Sequence, residues 1–219
     1  MPSKSDSFKI PKNWPTNIPY LTTPAYSQTL NPTHLQILRT RSTDSLPLPP
    51  NNPKGPSPLV KITPISLPSH PAYGQSGLFA VKDLKPGSFI LQYVGEIHAS
   101  PNSNPDPESG TESNSKIIDP HANSNYDLSL DRNHGLGIDA DQKGNEARFI
   151  NDYRGVAERP NAEFREVWDE GRKERGMGVW VLGGKGRERG IRRGEEVVVS
   201  YGRGFWGARK SDQSSNDDG

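Results

Sequence analysis

Residues 144–155 carry the largest group of side chains able to do chemistry. The segment reads Gly-Asn-Glu-Ala-Arg-Phe-Ile-Asn-Asp-Tyr-Arg-Gly, in which apolar residues stand among hydrogen-bonding ones. A surface loop has no need of the apolar residues, and a buried segment must bond its polar atoms. The pattern therefore predicts a segment threaded through the interior, with polar atoms that bind a ligand or neighbouring backbone. The polar residues in question are Asn145, Arg148, Asn151 and Asp152.

Several other chemistries lack the residues that they require. Residues 139–144 begin like a calcium loop, but the fifth position is lysine and the twelfth is Ile150, where a bidentate acid is needed. The glycine-rich residues 183–186 have neither the spacing nor the Ser or Thr of a phosphate-binding loop. The chain has no cysteine, its five histidines are scattered, and no serine stands in a Gly-x-Ser-x-Gly elbow. We expect no metal site and no hydrolase chemistry.

Short β-strands are predicted to position these residues. Runs rich in β-branched and aromatic residues, separated by Gly- and Pro-containing turns, are typical of strands. Residues 162–168 suit either a strand or a helix face. The sequence predicts a mostly β fold with few short helices. The candidate strands are residues 59–62, 78–81, 88–94, 127–131, 137–139, 177–182 and 196–201.

Composition indicates one domain with a loosely ordered extension. The 219 residues are only 30% hydrophobic and include 22 Gly and 21 Pro, so part of the chain should bury a core. We predict a Pro-rich, partly disordered extension over residues 1–58, a domain over 59–210, a mobile insertion at 99–124 and a disordered tail at 211–219. The aromatic residues near Trp14 and a short helix near Leu38 either pack on the domain or recognise a partner.

Charge and hydropathy indicate neither binding to a polyanion nor insertion into a membrane. The net charge is +1, and the basic run at residues 185–193 is interspersed with acids, as on a solvated face. No apolar run is long enough to span a bilayer, and no secretory leader is evident. We expect a soluble intracellular monomer, nuclear or cytoplasmic, that binds no nucleic acid directly.

Separated motifs resemble, in order, those of the SET-domain protein-lysine methyltransferases. Gly-Gln-Ser-Gly-Leu-Phe-Ala opens the series, and Tyr-Val-Gly-Glu ends a strand. Asp-Ala, Gly-Asn and Arg-Phe-Ile-Asn form the central signature, and Pro-Asn-Ala follows it. Gly-Glu-Glu-Val through Ser-Tyr-Gly closes the series. Each motif is weak by itself, and their shared order makes the resemblance specific. The motifs lie at residues 74–80, 93–96, 139–151, 160–162 and 194–202.

The resemblance implies a fold and an activity. The fold would consist of small β-sheets with a knot-like crossing, where the segment after Asn151 meets the segment near Tyr201. The activity would be S-adenosylmethionine-dependent methyl transfer to a lysine of a protein or peptide substrate, a histone or another protein. Tyr201 resembles the catalytic tyrosine, and Tyr126 resembles a second channel tyrosine that limits how many methyl groups fit.

The resemblance also implies contact residues. Asn151 would hydrogen-bond the cofactor, and Arg148 would hold the threaded segment through backbone carbonyls. Phe205 and Trp206 are expected to form an aromatic lid over the substrate channel or to pack in the core, and Tyr126 would also contact the substrate. The implied cofactor-binding residues are Gln75, Ser76, Gly77, Leu78, Phe79, Arg148, Phe149, Asn151, Asp152 and Tyr201.

Two departures from the family pattern leave a second hypothesis open. Asp152 stands where the family has histidine, and Gln75 stands where it has glycine. A carboxylate at residue 152 could repel the carboxylate of the cofactor or bind its adenine amine. The alternative is a catalytically inactive SET-like module that binds a peptide or partner.

Overall fold

A computed structural model describes residues 9–100, 119–186 and 188–202. These residues form a mostly β fold, as predicted, with one short α-helix and one 3₁₀ helix. The strands in chain order are β1 Ala25–Tyr26, β2 Leu46–Pro47, β3 Val60–Pro64, β4 Ser76–Ala80, β5 Phe89–Tyr93, β6 Glu96–Ala99, β7 Asp127–Asp131, β8 Leu136–Asp139, β9 Asn151–Asp152, β10 Ala162–Asp169, β11 Glu174–Val181 and β12 Val198–Val199. The helices are α1 Pro32–Leu38 and the 3₁₀ helix Glu146–Phe149.

The described strands form small sheets that enclose one hydrophobic core. Two sheets have four strands, in the orders β1-β6-β8-β7 and β2-β10-β11-β5, and two are pairs, β3-β4 and β9-β12. β10 and β11 form an antiparallel hairpin, so residues 162–168 adopt the strand alternative rather than the helix. Leu78, Ile97 and Val179 come from three different sheets, and all are fully buried in the shared core.

The predicted crossing is formed where the two-residue strands β9 and β12 pair. β9 and β12 run parallel, with Asn151 opposite Val198 and Asp152 opposite Val199. The predicted strand over residues 196–201 is thus only two residues long, because its neighbours in sequence bond to other parts of the chain. This pairing brings Tyr201 next to the end of the threaded segment.

The N-terminal residues pack against the rest of the described chain. β1 extends one sheet through parallel pairing with β6, and β2 pairs in parallel with β10. Asn31 caps α1 by accepting a hydrogen bond from the His34 backbone N–H at 2.9 Å, and Leu38 at the other end of the helix is fully buried. Trp14 packs edge-on against Phe149, with 5.8 Å between ring centroids. The packing alternative therefore holds for these pieces, whereas the boundary at residue 58 stays a prediction.

A close backbone approach fixes the turn between β5 and β6. A Cβ atom on Gly95 would lie 2.3 Å from the carbonyl oxygen of Asp139, so only glycine fits there. β6 follows directly and pairs with β8, with Glu96 opposite Asp139. β6 was not predicted from the sequence, because its residues Glu-Ile-His-Ala lead straight into the polar insertion.

Several predicted features lie outside the described residues. They are the lid residues Phe205 and Trp206, the tail at 211–219 and residues 101–118 of the insertion. Within the described ranges, no helix combines the length and the apolar character required to cross a membrane.

Candidate active site

Asn145 anchors the start of the threaded segment on β5. Its side-chain amide donates to the carbonyl of Gln92 at 2.8 Å, and its Oδ1 accepts from the backbone N–H of Val94 at 3.2 Å. The same oxygen accepts from the Ala147 N–H at 3.4 Å and so caps the 3₁₀ helix. The 3₁₀ helix is thereby held against the end of β5.

Arg148 uses its guanidinium to hold backbone. Its Nε donates to the carbonyl of Ala140 at 2.8 Å, and its Nη2 donates to the carbonyl of Asp141 at 3.2 Å. The guanidinium also lies 4.1 Å from the ring centroid of Tyr126. Only 8% of the residue is exposed, so these bonds form away from bulk water. Arg148 thus holds the backbone of Ala140 and Asp141, and its guanidinium also orients Tyr126.

Asp152 binds the backbone of Tyr201. The Asp152 carboxylate accepts from the Tyr201 N–H at 2.8 Å and from Nη1 of Arg154 at 3.1 and 2.9 Å. The Tyr201 hydroxyl donates to the carbonyl of Ile150 at 2.7 Å. The negative charge that the sequence left open as a cofactor contact is therefore balanced by Arg154. The Asp152 carboxylate fixes Tyr201, the candidate catalytic tyrosine, against the threaded segment.

A cavity of about 400 Å³ lies beside this crossing. It includes eight of the predicted site residues and is both polar and apolar in its walls. Its lining residues are His70, Pro71, Ala72, Gln75, Ser76, Asn125, Tyr126, Arg148, Phe149, Asn151, Asp152, Arg154, Val156 and Tyr201.

A second cavity, of about 80 Å³, adjoins the first. Leu128, Ile150 and Phe164 give it apolar walls. The two cavities share four lining residues, so they meet at the two predicted tyrosines. The shared residues are Asn125, Tyr126, Arg148 and Tyr201.

Tyr93 supports the wall between the cavities. Its hydroxyl donates to the carbonyl of Tyr126 at 2.6 Å, and its ring packs edge-on against Phe164, with 5.6 Å between centroids. Burial raises the pKa of the Tyr93 phenol well above its ordinary value of 10.0. The phenol is thus a neutral donor that fixes the position of Tyr126.

Gly77, Leu78 and Phe79 line neither of these two cavities. The Leu78 side chain is fully buried in the core, and the backbone of Phe79 pairs with that of Glu196. A Cβ atom on Gly77 would lie 2.5 Å from Oε1 of Glu196. The structure thus places the opening motif partly in the cavity, through Gln75 and Ser76, and partly in the core behind it.

Several residues that line the larger cavity were not predicted from the sequence. Arg154 could have been found, because its spacing from Asp152 allows an ion pair next to a predicted site residue. No local sequence pattern marks His70 or Asn125 as a site residue. For His70, the carboxylate that it contacts lies 126 residues away. In the described ranges, no group of three or more His, Asp or Glu side chains could hold a metal ion.

Comparison with known protein families identifies the domain. The SET domain model matches residues 75–202, more than half of the chain. The chain belongs to the SET-domain family. Every motif that carries the family resemblance overlaps the matched range.

Curated relatives of this SET domain include two fungal proteins. Each is named a histone-lysine N-methyltransferase, H3 lysine-36 specific, one from Aspergillus fumigatus and one from Coccidioides immitis. Both are 34% identical over 132 residues, which is 60% of this chain. The match covers 12% and 11% of the two relatives, so this chain spans about an eighth of their length.

Solved structures similar to this SET domain include Polycomb repressive complex 2 chains. A crystal structure of the Chaetomium thermophilum complex matches 69% of this chain and 16% of its own, with 23% identity and a TM-score of 0.46. A ctPRC2 structure in an autoinhibited conformation, bound to S-adenosylmethionine, matches 75% of this chain and 17% of its own, with 23% identity and a TM-score of 0.47.

Proposed function

We propose that this SET domain transfers a methyl group from S-adenosylmethionine to a lysine side chain of a protein. The observation that carries the proposal is the pair of cavities that meet at Tyr126 and Tyr201. In methyl transfer, the amine nitrogen attacks the methyl carbon from the side opposite the sulfur that carries it, with the three atoms in line. A large cavity for the cofactor and a narrow apolar one for the lysine, sharing one wall, meet that requirement.

The residues of the larger cavity suit the cofactor. Its volume of about 400 Å³ falls in the range of small-molecule sites, which combine apolar walls with a few polar groups. Pro71, Phe149 and Val156 offer apolar surface to a purine, and Asn151 and Ser76 offer polar atoms. When bound, S-adenosylmethionine supplies an electrophilic methyl group on a sulfonium. Family membership and this chemistry support its use here.

The smaller cavity favours a neutral lysine. A free lysine has a pKa of about 10.4, so the amine is protonated and unreactive near neutral pH. Burial against Leu128, Ile150 and Phe164 disfavours the charged form of the entering amine and lowers its pKa. The Arg148 guanidinium in the same lining acts in the same direction, whereas the Asp127 carboxylate opposes it. The same walls exclude water, which would otherwise solvate the amine's lone pair.

Tyr201 would orient the amine at the junction. Because its hydroxyl hydrogen points to the Ile150 carbonyl, its oxygen presents lone pairs rather than a proton to other groups. An amine N–H can donate to that oxygen, which turns the nitrogen lone pair toward the cofactor. Tyr126, held by Tyr93 and Arg148, would restrict the space around the nitrogen and thus the number of methyl groups.

The substrate and location follow from the relatives only as proposals. A histone or another protein lysine is the proposed substrate, and a monomer acting in the nucleus is the proposed setting. The competing hypothesis is an inactive module that binds a peptide. It gains no support from Asp152, because that carboxylate is paired with Arg154 and holds Tyr201 in place.

A methylation assay separates the two hypotheses. We expect the full chain to transfer methyl groups from S-adenosylmethionine to recombinant histones or a lysine peptide library, detected by mass spectrometry. Tyr201→Phe should lower the rate about 100-fold or more, in line with loss of an orienting catalytic group. The matched control is Tyr73→Phe, which alters an exposed tyrosine and should keep the rate. Cofactor binding without transfer to any protein would favour the inactive module.

A further inference from the structure

A buried chain of hydrogen bonds lies behind the larger cavity. His70 Nε2 is 2.9 Å from Oε2 of Glu196, and the Asn151 amide donates from Nδ2 to Oε1 of Glu196 at 2.7 Å. The His70 and Glu196 side chains are only 9% and 8% exposed. His70 and Asn151 also line the cavity, whereas Glu196 connects them from behind.

Backbone contacts fix the proton on the His70 ring. Nδ1 of His70 accepts a hydrogen bond from the backbone N–H of Ala72 at 3.0 Å. A nitrogen that accepts carries no hydrogen, so the proton of the neutral ring lies on Nε2. Nε2 therefore donates to Oε2 of Glu196. The direction of this bond is set by the protein backbone and not by the ligand.

The same reasoning fixes the amide of Asn151. Both of its contacts, Oε1 of Glu196 and the carbonyl of Ser76 at 3.4 Å, are acceptors only. The NH₂ group must face them, which leaves Oδ1 as the atom that Asn151 can offer to the cavity. Were the amide turned over, two oxygens would meet Oδ1 and the cavity would receive a donor in place of an acceptor.

Backbone contacts and close packing fix the position of Glu196. Its carbonyl accepts from the side-chain amide of Asn161 at 2.7 Å, and its backbone pairs with that of Phe79. A Cβ atom on Gly77 would lie 2.5 Å from Oε1 and 3.0 Å from Cδ of the Glu196 side chain. The absence of a side chain at Gly77 therefore makes room for the carboxylate.

We propose that Glu196 and His70 are positioning residues for the cofactor. Glu196 orients the Asn151 amide so that Oδ1 accepts a hydrogen bond from an amino group of S-adenosylmethionine, and His70 fixes Glu196. The inference rests on the proposed function for its ligand. Neither residue contacts the reacting atoms, so they act on cofactor affinity and not on the transfer step.

The test replaces the symmetric carboxylate by an amide. In Glu196→Gln, the Nε2–H of His70 still requires an acceptor. The new amide therefore turns its oxygen to His70 and its NH₂ to Asn151. Turning over Asn151 sacrifices the weak 3.4 Å bond to Ser76, whereas moving the proton of His70 would sacrifice the 3.0 Å bond from Ala72. Asn151 is therefore expected to turn over. The KM for S-adenosylmethionine should rise about tenfold or more, with kcat within about threefold of the unmutated chain.

The double variant provides the decisive comparison. With His70→Ala added to Glu196→Gln, the new amide can rotate and offer its oxygen to Asn151. We expect the double variant to bind S-adenosylmethionine at least about threefold more tightly than Glu196→Gln alone. His70→Ala by itself should weaken binding by about threefold, because Glu196 then loses one of its contacts. A substitution that weakens the unmutated chain and improves the variant cannot be explained by general destabilisation.

A matched control and a second measurement keep the inference open to refutation. His134→Ala removes another histidine that is paired with a carboxylate, Asp131, and it should leave cofactor affinity unchanged. NMR on the cofactor-free chain can follow the Asn151 side-chain NH₂, assigned by its loss in Asn151→Ala. We expect the hydrogen that is bonded to Oε1 of Glu196 at 2.7 Å to exchange slowly with water, and the hydrogen that faces the Ser76 carbonyl at 3.4 Å to exchange faster.

The outcomes separate the inference from the proposed function. Failure of the unmutated chain to bind S-adenosylmethionine would refute the proposed function, and the NMR measurement would still test the amide orientation. If the unmutated chain binds, a double variant no better than Glu196→Gln would overturn the positioning role. Rapid exchange of both Asn151 NH₂ hydrogens would overturn it as well.

Discussion

Replacing Arg148 tests whether its guanidinium holds the threaded segment. Arg148→Met keeps most of the apolar stem but removes both hydrogen bonds to carbonyls, at 2.8 Å to Ala140 and 3.2 Å to Asp141. Ala140 is fully buried, so its carbonyl would lose a partner that water cannot readily replace. The stacking of the guanidinium over Tyr126 is lost too. Together these losses should lower the free energy of unfolding by about 3 kcal/mol.

Urea unfolding followed by circular dichroism and tryptophan fluorescence measures this change. Arg148→Lys should cost about half as much, because lysine keeps the charge but cannot bond both carbonyls with one planar group. The control is Arg165→Met, whose exposed guanidinium bonds to Glu163 and which should cost less than about 0.5 kcal/mol. A loss for Arg148→Met below about 1 kcal/mol would refute this reasoning.

The remaining predictions concern close packing and a buried phenol. Gly95→Ala should destabilise the fold by about 2 to 3 kcal/mol in urea unfolding, since its Cβ would lie 2.3 Å from the carbonyl oxygen of Asp139. Gly171→Ala, whose nearest contact would be at 3.3 Å, is the control, and equal losses would contradict the prediction. Because burial raises the pKa of Tyr93, the native phenol keeps its proton when the unfolded one loses it, at its ordinary pKa of 10.0. The contribution of Tyr93 to the free energy of unfolding is thus fully present below that pH. Above it, the contribution falls by up to about 1.4 kcal/mol per pH unit. Tyr93→Phe should make the fall between about pH 10 and pH 11 shallower, and an unchanged slope would count against the assignment.

Strands with a strong local signal were predictable from the sequence. β4, β5 and β11 each contain a run of aliphatic and aromatic residues near a glycine-containing turn, and each overlaps its predicted range. β6 was missed, because its four residues lead straight into the polar insertion and its partner β8 is distant in sequence. β1 and β2 have only two residues each and exist through contacts with strands that come much later in the chain.

The candidate site was predictable where the chemistry lies in one segment. Arg148, Asn151 and Asp152 stand close together, and their residue types indicated a threaded, hydrogen-bonded segment. The pairing of Tyr201 with that segment came from the family resemblance, since no local pattern connects two segments so far apart. His70 could not be found, because its role depends on a carboxylate brought to it by the crossing of β9 and β12.

Calorimetry with S-adenosylmethionine tests the central claim most directly. It should be run on the full chain and on Tyr201→Phe and Asn151→Ala, with urea unfolding to show that each is folded. We predict that the full chain binds, that Tyr201→Phe keeps the affinity within about threefold, and that Asn151→Ala weakens it about tenfold or more. No binding by the folded, unmutated chain at about 1 mM ligand would contradict the account.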